Sequence, residues 1–193
     1  MRDITNNEML FVLSVFKSPE KEQNTSDMAK LLGISPMGAL KIARRLEEEN
    51  ILKSKEIGKA KIYKLNMQND YVRDYTQFLL RMEAEQANSY VKVWINELRK
   101  IKSADAAILF GSILRKKEAN DVDALLITNQ KRFPKLKKEV EKINLINIKK
   151  VHPVYQSEKD VKENIKKGDK ALLNAINGIV AFGEDKFINL IEK

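Results

Sequence analysis

The sequence predicts an α+β chain of two units joined by a long helix, and three observations predict it. Residues 1–69 hold three amphipathic helical stretches followed by two short extended runs around Ile57-Gly58-Lys59. The stretch from Asp70 to Lys100 contains neither glycine nor proline. Residues 103–193 open with two apolar runs of strand length, Ala106 to Phe110 and Ala124 to Ile127, and then alternate helical with extended patterns. The expected division is 1–69, a connecting helix over 70–102, and an α/β unit over 103–193.

In the first unit, Met9, Val12, Leu13 and Phe16 recur at helical spacing. Asn24-Thr25-Ser26-Asp27 supplies an N-cap, with acid in the first turn, for a helix from Met28 to Leu32. Gly33-Ile34-Ser35 makes a turn, and Pro36 stands where a helix can begin. The third helix, 36–50, has Ala39, Ile42, Ala43 and Leu46 on one face and Met37, Lys41, Arg44 and Arg45 opposite. A hairpin follows, 51–55 and 60–65. Helix, helix–turn–helix and basic hairpin together look like a winged helix-turn-helix domain.

In that fold the third helix enters the major groove of double-stranded DNA and the wing touches the backbone. Lys41, Arg44 and Arg45 are the expected groove contacts. Lys59 and Lys61, with Lys53, Lys55 and Lys64, make the wing basic. Against this, Glu47-Glu48-Glu49 dilutes the charge at the helix end, and residues 1–69 hold 12 Lys/Arg to 9 Asp/Glu. A protein-contact role for the same domain therefore stays open.

The connecting helix carries two apolar stripes: Tyr71, Tyr75, Phe78, Leu79 and Met82, then Ala87, Val91, Trp94, Ile95 and Leu98. Their phase slips across 83–86, so the halves pack against different bodies or a bend lies between them. If the first half pairs with itself, the protein is a homodimer suited to a two-fold DNA site.

Chemistry concentrates in residues 105–128. The run ending at Phe110 stops at Gly111-Ser112, and Asp121 and Asp123 open the next run. Residues two apart in a strand share a face, so both carboxylates project to one side. Paired carboxylates can hold a divalent cation through hard oxygen ligands. Gly111 lets the backbone approach a phosphate, with the following amides as an anion-binding helix start. The same residues also fit a tight turn followed by two solvated aspartates.

Through Phe110-Gly111-Ser112 and Asp121-Val122-Asp123 the chain resembles the DNA polymerase beta-like nucleotidyltransferase superfamily in its minimal form. Its signature is a strand ending in Gly-Ser, a short helix, and a strand beginning Asp-x-Asp. The resemblance extends more weakly through 151–155 and 178–185 and covers roughly half the chain. It implies an α/β domain with a small mixed sheet, in which Gly111 and Ser112 hold the triphosphate of an NTP. Asp121 and Asp123 would be the catalytic pair and the ligands of Mg²⁺. Family members of this size often belong to toxin–antitoxin or related defence modules. The chain departs from the pattern in a short Gly-Ser to Asp gap without a second glycine. It also lacks Asp or Glu in the expected strand 145–154, where Asn147 is the nearest substitute.

Further on, 131–143 reads as a basic helix, Ser157 to Asp160 as a capping box, and His152 as a structural residue. A net charge of +9 favours an anionic partner. The absence of cysteine excludes disulfides and thiolate metal sites. With no apolar run near the ~20 residues of a membrane span and a polar start, the expectation is a soluble, cytoplasmic protein without a membrane partner. Two functions remain. One is a nucleotidyltransferase, favoured by Asp-x-Asp. The other is a DNA-binding regulator whose transferase domain only senses nucleotide, favoured by the missing third carboxylate.

Overall fold

The computed structural model describes residues 4–58, 60–116 and 119–192. Contacts divide them into two units, and the boundary falls between Leu79 and Leu80.

The first unit begins with α1 (Asn6–Lys17), opened by a capping box in which the Thr5 hydroxyl accepts from the Glu8 amide and Glu8 accepts from the Thr5 amide. Its face of Met9, Val12, Leu13 and Phe16 is buried, as the spacing predicts, and Phe11 is buried with it. Helix α2 (Thr25–Leu32) starts three residues before the expected Met28. The reason is local: Asn24 alone is the cap, taking the amides of Ser26 and Asp27, which puts Asp27 inside the first turn. Gly33, at φ +64, ends α2 in the left-handed region that glycine enters without strain. Ser35 then caps α3 (Pro36–Glu48) through the Gly38 amide at 3.0 Å. Ala39, Ala43 and Leu46 form its fully buried stripe.

Strands β1 (Leu52–Ile57) and β2 (Ala60–Leu65) pair antiparallel, with Ile57 opposite Ala60. Lys59 lies outside the described residues. A bridge from Asn24 to Ile62 fastens the hairpin to the start of α2. Buried Tyr63 adds to this, meeting Phe11 edge-on at 5.8 Å and bonding Thr25 Oγ1 at 2.9 Å. Three helices and a bound two-stranded wing make a winged helix-turn-helix.

The expected unbroken helix from Asp70 to Lys100 is two helices, α4 (Asp70–Gln86) and α5 (Ser89–Leu98). Asn88 separates them because its side chain caps α5, accepting from the Val91 amide at 3.0 Å. The slip in the apolar phase marks this break.

In the second unit a mixed four-stranded sheet has the order β5-β4-β3-β6. Strand β3 (Ala106–Phe110) pairs antiparallel with β4 (Val122–Ile127) and β6 (Ile179–Phe182); β4 pairs parallel with β5 (Val151–Gln156). One sheet face, including Ala107, Leu109, Val122, Ala124 and Leu126, packs on α5 through Trp94, Ile95 and Leu98. The same core takes in Leu136, Val140 and Ile143 of α6 (Phe133–Ile146). Helices α7 (Glu158–Lys167), α8 (Lys170–Ile176) and α9 (Glu184–Ile191) also contact the strands. They lie against the face that bears Ile108, Leu125 and Ile127.

The strand expected from Leu145 begins only at Val151. Helix α6 runs on to Ile146, and Asn144 closes the turn by accepting from the Val151 amide and donating to its carbonyl. Leu145, Ile146 and Ile148 are therefore exposed, Ile148 at 98%. An apolar run this short has no period that separates strand from helix end.

Ser157 and Asp160 form the expected capping box of α7. The Ser157 hydroxyl and amide hold the Asp160 carboxyl below its usual range. Its folded value lies below its unfolded one, so the contribution is present above the ordinary aspartate range and is lost as pH falls through the lower folded value. Ser157→Ala should cost about 1 kcal/mol at neutral pH. Paired urea titrations at pH 7 and pH 2.5 should show that difference shrinking in acid.

Candidate functional site

Two clusters of the expected residues are present, one in each unit. In the winged helix, Lys41 and Arg44 are exposed on α3 and make no ion pair among the described residues. Met37, Lys41, Arg44 and Glu48 succeed one another at i, i+4, i+7 and i+11, which lays them along one outward stripe.

Arg45, expected on that surface, turns inward. Its guanidinium is ion-paired with Glu8, whose side chain is only 1% exposed, and lies 3.8 Å from Glu49. A carboxylate this buried requires a charged partner, and among the described residues Arg45 on the flank of α3 is the cation paired with it. Nearby, burial first, then Tyr71 and Glu49, push the Tyr75 hydroxyl up to about 12, with Arg45 opposing, so that phenol stays neutral.

Lys61 is likewise taken from the expected DNA surface. Both oxygens of Glu47 accept from its ammonium at 3.0 Å, and Ser54 bonds the same carboxylate. Paired residues of an antiparallel hairpin share a face, so Lys53, Lys55 and Lys64 lie on the other side of the wing. Lys53 donates to Gln68 there.

In the α/β unit the Gly-Ser and Asp-x-Asp segments meet. Phe110 is the register partner of Asp123. Gly111, at φ +83, opens the four-residue 3-10 turn Gly111–Leu114. A Cβ on Gly111 would stand 2.1 Å from Asp123 Oδ2, so the carboxylate rests where a side chain would be. Handedness and space both require glycine. The Ser112 carbonyl accepts from the Arg115 and Lys116 amides, keeping the turn tight.

Asp121 stands just before β4 with 55% of its side chain in water, and Asp123 is half-buried. His152, read from sequence as structural, is exposed, sits opposite Asp123 in the parallel register, and brings Nε2 to 3.5 Å from Asp121 Oδ1. Asn147, the substitute expected for a third carboxylate, ends α6 instead and donates to the Ile143 carbonyl and to Glu97. The parallel pairing that brings His152 beside the aspartates has no trace in a sequence read strand by strand. Among the described residues no three His, Cys, Asp or Glu side chains are gathered closely enough to hold a metal ion. Asp121 and Asp123 are the residues there that would offer hard oxygen ligands to a divalent cation.

No protein family profile matches the chain, and no curated protein matches it. Among solved structures it is similar to the adhesin competence repressor AdcR of Streptococcus pyogenes, at 16% identity and a TM-score of 0.38, over 52% of this chain and 69% of that one. MepR, a transcription regulator of the Staphylococcus aureus multidrug efflux pump MepA, gives 17%, 0.37, 51% and 76%. ZitR, a zinc-responsive MarR family member of Lactococcus lactis, gives 14%, 0.31, 52% and 74%. The winged helix of this chain is defined by its own element order and register, not by these similarities. Among the described residues no helix is long and apolar enough to cross a membrane.

Arg45→Ala leaves Glu8 buried without its partner and should cost about 3–5 kcal/mol in urea unfolding. Lys41→Ala, on the open face, should stay within about 0.5 kcal/mol of the parent.

Proposed function

We propose that this protein is a DNA-binding transcriptional regulator whose winged helix reads duplex DNA and whose C-terminal unit senses a nucleoside triphosphate. The observation that carries the first half is the outward stripe of α3, where Lys41 and Arg44 are cationic and, among the described residues, unpaired. With Arg45 and Lys61 committed to Glu8 and Glu47, these two residues and the outer lysines of the wing are, among the described residues, groups available to phosphate and base edges. The exposed rings of Tyr71 and Phe78, on one side of α4, suit pairing of two copies, and a pair suits a two-fold site.

Lys41→Ala/Arg44→Ala should fold as the parent does and lose duplex binding. Each phosphate contact removed lowers the slope of log affinity against log salt by about one. Fluorescence anisotropy across a salt series reads this, and equal binding by both proteins would turn the domain into a protein-contact module.

The nucleotide half rests on the Asp123 carboxylate seated against Gly111, with Asp121 two residues before it. In this reading Gly111 and Ser112 hold the phosphates, and Asp121 and Asp123 would hold Mg²⁺. The ion supplies charge neutralisation of the triphosphate. A second reading, transfer of the nucleoside monophosphate to a hydroxyl acceptor, is favoured by the same paired carboxylates. Among the described residues no third carboxylate joins the pair, and His152 is the residue opposite Asp123 on the adjoining strand. Asp121→Asn/Asp123→Asn should abolish Mg²⁺-dependent NTP binding in calorimetry and leave DNA affinity unchanged. Labelled NTP incubated with cell extract separates the two readings, since only an enzyme leaves label on an acceptor.

A further inference from the structure

We infer that Met37 is a sequence-reading residue and that it reads the methyl group of thymine. The inference rests on the proposed duplex binding and names what one position of the helix recognises. Met37 is the second residue of α3 and is 60% exposed, although it is a large apolar side chain. It heads the stripe that continues through Lys41 and Arg44, so an occupant of this face meets an apolar end and then two cations. That order fits a polyanion with an apolar feature on its surface.

The far end of the stripe fixes the orientation. Glu48, on the same line near the end of α3, repels phosphate, so the N-terminal two turns are the part that can lie deepest in the groove. Residues at the start of a recognition helix are those that reach base edges. Lys41 and Arg44 can donate to phosphate or to guanine, whereas Met37 has no hydrogen to donate. The apolar feature on major-groove base edges is the C5-methyl of thymine. The unbranched thioether of methionine conforms to such a contact without demanding one rotamer.

The test uses a duplex selected from a randomised library by the full-length wild-type protein. Each thymine of the selected site is then replaced singly by deoxyuridine, which removes the methyl and leaves every hydrogen bond. At one position per half-site, wild type should lose about three- to fivefold in affinity, the worth of one buried methyl group. Met37→Ala should bind the parent duplex more weakly by a similar factor and be indifferent to deoxyuridine there. Met37→Leu should keep the sensitivity, and melting curves of both variants should match wild type. If wild type ignores deoxyuridine at every position, or Met37→Ala remains as sensitive as wild type, the inference is overturned while duplex binding stands. Failure to select any duplex overturns both.

Discussion

A carboxylate shut away from water governs the winged helix. Glu8 caps the first turn of α1 and, with its side chain 1% exposed, forms the ion pair with Arg45 of α3. Removing both charges from solvent is costly, and it is offset only when the pair meets closely and the remaining oxygen is hydrogen-bonded. Thr5 supplies that bond. The pair therefore ties the entry of α1 to one flank of α3. Ala39, Ala43 and Leu46 face the core, Arg45 lies at the seam, and the line from Met37 to Arg44 faces outward.

The second unit shows a comparable economy at the end of β3. Antiparallel pairing puts Phe110 opposite Asp123, and the chain turns at once through Gly111, so the strand of one segment supplies the wall of the other. The parallel neighbour β5 then adds His152 to the same edge. Ahead of β3, at the end of the strand away from Gly111, Glu139 of α6 accepts from the amides of Lys102 and Ser103 and from the Ser103 hydroxyl. Burial resists ionisation of Glu139, yet these three donors outweigh it and hold the carboxyl below its usual range. The approach to β3 is fixed by that anchor.

Much of this was legible in the sequence, for reasons that can be stated. The helices of the first unit announce themselves by apolar spacing and by caps at Asn24 and Ser35, which act over three or four residues. Strand β3 ends at Phe110 because Gly111 stops it. What escaped had long-range causes. Arg45 stands about 100° round the helix from Arg44, on the flank, yet a helical wheel read alone leaves both in the polar arc; Glu8, 37 positions earlier, is what draws Arg45 inward. Lys61 looks like a wing cation until Glu47 is known to face it. The break at Asn88 shows in sequence only as a slip in phase, and the exposed Leu145, Ile146 and Ile148 read as strand since nothing local says that Asn144 will close a turn beneath them.

Gly111 carries a consequence in stereochemistry. Two separate reasons exclude a natural side chain there: the backbone lies at φ +83, and the place of an L-methyl is already held by the Asp123 carboxylate. A residue of the opposite hand answers both. D-alanine is at ease at positive φ, and its methyl replaces the other Cα hydrogen, directed away from the carboxylate. For a chain assembled by chemical ligation, this position is one where mirror-image alanine is the closer mimic of the natural residue.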